Sequence, residues 1–99
     1  MKKSHQDILS RRWSIEILME FYNSKTNCRR YSDFKRNISG ITPRALSCRL
    51  KELSEAEIIT KSVDASSFSV KCEYRLSSSG KDFMKIAALM KTWSRKWRK

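Results

Sequence analysis

Residues Ile41 to Leu53, ITPRALSCRLKEL, constrain the fold of this chain more than any other stretch. Thr42 is a natural N-cap, and Pro43 stands at the first helical position, where a missing amide hydrogen costs nothing. Leu46, Leu50 and Leu53 then recur at helical spacing and form one apolar stripe. Arg44, Ser47, Cys48 and Lys51 share the opposite face, with no acid before Glu52. Such a helix is held to a small core on one side and offers small and basic side chains to a polyanion on the other.

The rest of the composition agrees with that division. A chain of 99 residues is expected to form a single domain with a modest core. Its formal charge of +12 calls for a polyanionic partner: DNA, RNA or an anionic membrane surface. The cations are concentrated. Between Phe21 and Lys51 the sole acid is Asp33, and none follows Asp82. No apolar run is long enough to span a bilayer, and Met1-Lys2-Lys3 leads into polar residues rather than a leader core, so a cytoplasmic protein (nucleoid-associated when bound to DNA) is expected. Cys28, Cys48 and Cys72 lack CxxC spacing and His5 is the one histidine, so no metal site is expected and the thiols are expected to be reduced. A redox-sensing or inter-subunit disulfide is the alternative.

Around the opening helix the chain alternates helix and strand signals. Gln6 to Asn23 contains neither Gly nor Pro and predicts one continuous first helix. Its apolar arc covers more than half the wheel, which suits a helix buried on two sides. SKTNCRR predicts a loop. Tyr31 to Ile38 predicts a short helix turned inward by Tyr31, Phe34 and Ile38 and ended by Gly40 in a left-handed conformation. With the helix from Thr42 to Ala56 it makes a helix-turn-helix over residues 31–56. Ile58–Asp64 and Val70–Ser77 predict an antiparallel hairpin, a wing over about 58–77. A last helix over about 78–97, capped by Ser77 or Ser78, carries Phe83, Ile86, Met90, Trp93 and Trp97 in alternating three- and four-residue steps.

The whole reads as a mainly α fold with a small β-hairpin, a winged helix-turn-helix flanked by N- and C-terminal dimerisation helices. It resembles the winged helix-turn-helix transcription regulators, most closely the HxlR-type branch of the MarR-like group. The resemblance runs from about Leu9 to Trp97. Its residues are Trp13 with Ile17-Leu18; Tyr31, Phe34 and Ile38; Gly40-Ile41-Thr42 before Leu46, Arg49-Leu50 and Glu52-Leu53; Glu73-Tyr74-Arg75-Leu76-Ser77 with Gly80; and the closing Trp93. Three departures stand out. Residues 1–12 lack the cysteine that the family commonly carries before the first-helix tryptophan, so thiol sensing there is not carried over. Glu57 replaces the glycine that closes the recognition helix. The proline before the wing tyrosine is missing.

The resemblance implies a homodimer that sets two recognition helices on a pseudo-palindromic site in double-stranded DNA. Ile8, Ile15, Met19 and Tyr22 of the first helix and Ile86, Met90, Trp93 and Trp97 of the last are the expected subunit interface. On the DNA side, Arg44 is the expected base reader, with Ser47 and Cys48 beside it in the groove. Thr42, Arg49, Lys51, Lys35, Arg36 and the wing residues Lys61 and Lys71 are expected at phosphates. The alternatives are a sequence-neutral or architectural nucleic-acid binder and a protein-interaction winged helix. With two glycines, no phosphate loop and no paired nucleophile and base, the chain is not expected to be an enzyme, and no cofactor or small-molecule effector is identifiable.

Overall fold

The computed structural model describes residues 5–22, 28–61 and 73–97. In chain order they form α1 (His5–Leu9), α2 (Ser14–Tyr22), β1 (Cys28–Arg29), α3 (Tyr31–Asn37), α4 (Pro43–Glu55), β2 (Ile59–Lys61), β3 (Tyr74–Leu76) and α5 (Ser78–Trp97). The strands make an antiparallel sheet of order β1-β3-β2. Thr60 and Cys28 both face Arg75 across the sheet, from opposite sides of β3.

The expected first helix is two helices. The Ile8 carbonyl, which a continuous helix would offer to the Arg12 amide, accepts instead from the Arg11 amide at 3.2 Å and from the buried Ser14 hydroxyl at 2.7 Å. Trp13 turns the corner at φ +80° and opens α2 by accepting from the Ile17 amide. The corner places the Trp13 indole over Gly40, itself left-handed at φ +86° as expected, with the Arg12 guanidinium 4.7 Å from the ring centroid.

The stretch read as a loop contributes a strand: Cys28 and Arg29 pair with Arg75 and Tyr74. Two residues carry too little periodicity to announce a strand, and pairing with β3 satisfies their backbone polar groups. Cys28 is disulfide-bonded, a correction to the expectation of reduced thiols, whereas Cys48 is a free, exposed thiol. The expected hairpin survives as β2 and β3, and the intervening residues 62–72 lie outside the described part.

One core joins these elements. Ile17, Leu18 and Phe21 of α2, Phe34 of α3, and Leu46 and Leu53 of α4 are fully buried, together with Ile59 of β2. Phe34 sits at the centre, edge-on to Phe21 at 5.5 Å and to Tyr74 at 6.0 Å. Burial raises the Tyr74 phenol above its ordinary pKa, with a smaller contribution from Glu73. The Glu73 carboxylate in turn accepts from the Tyr31 amide at 3.0 Å, tying the wing strand to the start of α3.

The last helix is seated by its first turn. The Ser77 hydroxyl accepts from the Gly80 amide at 3.2 Å and donates to the Ile58 carbonyl at 2.8 Å. A Cβ on Gly80 would fall 2.3 Å from the Ile58 carbonyl oxygen, so that close approach requires glycine. Farther along, the buried Ala87 lets α5 lie against α2, and Lys91 reaches over the Tyr22 ring at 5.2 Å.

Candidate nucleic-acid interface

Local chemistry fixes the start of α4. The Thr42 hydroxyl accepts from the Ala45 amide at 3.1 Å and Pro43 follows it, so the helix begins where expected. Leu46, Leu50 and Leu53 are buried, which turns Arg44, Ser47, Cys48 and Lys51 outward, all four exposed. Of these four residues two are cations, two are small and none is an acid.

The far end of α4 closes in spite of Glu57. The Ile58 amide donates to the Leu53 carbonyl and the Glu57 amide to the Ser54 carbonyl, both at 3.0 Å, a Schellman closure. Glu57 takes the left-handed position at φ +61° that a glycine fills without strain. Its carbonyl is held from the other side by the Ser79 hydroxyl and by that of Ser77, whose one proton it shares with the Ile58 carbonyl. The helix therefore ends as the glycine-bearing pattern requires, but with a strained residue in the corner.

The other expected phosphate ligands fall into three groups. Lys35 and Arg36 are exposed in the last turn of α3, and Arg36 is 2.8 Å from the Asp33 carboxylate. Lys61 is exposed at the end of β2, while Lys71 lies outside the described residues. Arg49 is different. Its side chain is 19% exposed and its guanidinium is ion-paired with Glu52, whose other oxygen lies 3.6 Å from Arg11.

The expected subunit face is also resolved residue by residue. Ile8 is 4% exposed and belongs to its own core, because the corner at residues 10–13 turns α1 back onto the domain. Ile15 and Met19 are half-buried and line a groove with Trp13, Phe83, Ile86 and Met90. Tyr22, Ile86, Met90, Trp93 and Trp97 are exposed. Leu89, 70% exposed, lies on the same stripe of α5 and escapes a heptad reading, because the heptad step goes from Ile86 to Met90.

A model of the HxlR-like helix-turn-helix family matches residues 8–99, nearly the whole chain. The chain belongs to that family. Membership places this HxlR-like protein among the winged helix-turn-helix transcription regulators, as its resemblance implies. It is 31% identical over 91 residues to the uncharacterized HTH-type transcriptional regulator YvaP of Bacillus subtilis, covering 92% of this chain and 81% of the relative. It is 34% identical over 86 residues to the uncharacterized HTH-type transcriptional regulator YdzF of the same organism, covering 87% and 76%. Putative regulatory protein MalR of Fusobacterium mortiferum is 34% identical over 64 residues, 65% of this chain and 59% of the relative. Among the described residues of the HxlR-like protein, no helix is long and apolar enough to cross a membrane, and no cluster of His, Cys, Asp and Glu fits a metal ion.

Proposed function

We propose that this HxlR-like protein is a sequence-specific regulator of transcription that binds double-stranded DNA as a homodimer. The observation that carries the reading is the division of α4: three buried leucines on one side and exposed Arg44, Ser47, Cys48 and Lys51 on the other. In a major groove Arg44 reads guanine through a bidentate fork, and Ser47 and Cys48 leave room for close approach. Lys51, Lys35, Arg36 and Lys61 meet phosphates, as do the Thr42 hydroxyl and the amides at the tip of α4. Arg49 is left out of that set because Glu52 already occupies it. The second subunit covers the exposed stripe of α5 and the groove beside α2, where Ile86, Leu89, Met90, Trp93 and Trp97 would otherwise face water.

Selection of binding sites from a random duplex pool, with the mass of the protein measured in solution, tests this reading. A selected pseudo-palindrome bound by a dimer is expected, preferred over random duplex by about a thousandfold or more. With about three to five phosphates neutralised per subunit, log K falls with log salt at a slope of about −5 to −9. A monomer that selects no motif, or a slope near zero, overturns it. Equal affinity for all duplexes with a steep slope indicates a sequence-neutral binder instead.

A further inference from the structure

We propose that Glu52 limits the sequence-independent part of the affinity of α4 for DNA, by keeping the Arg49 guanidinium off the phosphate backbone. The proposal rests on the DNA-binding reading above. Glu52 bridges two arginines that are distant in sequence. One carboxylate oxygen pairs with Arg49, one turn before it on α4, and the other lies 3.6 Å from Nε of Arg11, in the turn between α1 and α2. Glu52 and Arg49 are 16% and 19% exposed, so water and salt screen their pairing less than they screen a surface pair.

This arrangement bears directly on non-specific affinity. Arg49 follows Cys48 and sits on the flank of the exposed strip, where a free guanidinium is well placed for a strand of the backbone. A phosphate contact adds affinity on every sequence alike, so releasing Arg49 to the backbone strengthens binding to any duplex and makes it more salt-dependent. The Arg11 contact also ties the flank of α4 to the α1–α2 corner, which keeps the reading face in one orientation. Glu52 is thus a positioning residue that acts through Arg49 and Arg11.

Glu55 supplies the comparison. It carries the same charge on the same helix, is exposed, and does not bridge the two arginines. Binding is measured by fluorescence anisotropy across a salt series. The two probes are a duplex selected by the wild-type protein and a random-sequence duplex of equal length. Glu52→Gln is expected to raise affinity for both duplexes about three- to tenfold and to steepen both salt slopes by about 1, the mark of one more phosphate contact. The ratio between selected and random affinities stays at the wild-type value, because both gain alike. Glu55→Gln, with the same change in net charge, leaves both slopes at the wild-type value. Adding Arg49→Gln to Glu52→Gln restores the wild-type slope, which a merely loosened fold would not do.

Arg49→Gln alone gives an answer that does not depend on whether Glu52→Gln folds. It is expected to leave the salt slope unchanged, because Arg49 is already paired. A slope shallower by about 1 shows Arg49 at a phosphate and overturns the proposal. Identical behaviour of Glu52→Gln and Glu55→Gln overturns it as well. If the wild-type protein selects no duplex and its affinity ignores salt, the DNA-binding reading itself fails, and that result is distinct from the other two.

Discussion

Glu57 holds a corner that its side chain makes costly. A non-glycine residue in the left-handed region costs about 1–2 kcal/mol, and the Schellman closure of α4 forces Glu57 there. Glycine would remove that strain and return part of the gain as unfolded-chain entropy. Glu57→Gly is therefore expected to stabilise the protein by about 0.5–1 kcal/mol, read as a higher urea midpoint at unchanged m-value. The position was legible in the sequence as a departure from the family pattern. Its outcome was not, because the hydrogen bonds that hold the turn come from Leu53 and Ser54 on one side and from Ser77 and Ser79 on the other. Arg49 teaches the same lesson. Its place on a basic helix suggested a phosphate ligand, and only the approach of Glu52 shows it engaged.

At the scale of elements, α3 owes its start to Asp33. Its carboxylate accepts from the Arg30 amide at 2.9 Å and from the Arg36 guanidinium at 2.8 Å. Chiefly the amide bond, then the charges of Arg29 and Arg36, hold Asp33 below its ordinary value of 3.8 against an opposing burial effect. A carboxylate with a depressed folded pKa adds stability that is fully present above its unfolded value and is lost as pH falls through the folded one. Asp33→Asn is expected to lower stability at neutral pH and to flatten the acid limb of a stability–pH curve below 3.8, measured by chemical unfolding at stepped pH. The helix itself was visible from Tyr31, Phe34 and Ile38. The two-residue β1 was not, since its strand geometry comes from pairing with β3. The single first helix failed for a similar reason: good helix formers from Gln6 onward give no hint that the Ser14 hydroxyl captures the Ile8 carbonyl.

For the whole molecule, the decisive surface is the stripe of α5. Ile86, Leu89, Met90, Trp93 and Trp97 remain 46–70% exposed after the chain has closed its own core. If a second copy covers them, polar replacements there act on assembly and not on folding. Leu89→Ser with Trp93→Ser is expected to convert a dimer to a monomer in analytical ultracentrifugation, with the helical circular dichroism retained. Affinity for a palindromic duplex should then fall toward that for a half-site, since the two recognition helices no longer share one binding event. An unchanged sedimentation mass overturns the assignment of this face.

The sequence by itself determined the helix-turn-helix, the wing strands and the long final helix, because periodicity, caps and Gly40 act within a turn or two of chain. It also determined the buried leucines and the exposed cations of α4, since a helix that buries Leu46, Leu50 and Leu53 has no other side on which to place Arg44 and Lys51. Tertiary structure alone decided the break at Trp13, the return of Ile8 to its own core and the pairing of Arg49 and Arg11 through Glu52. Each depends on groups brought together from separate elements, or on a hydroxyl competing for a carbonyl. Residue order does not encode such meetings locally.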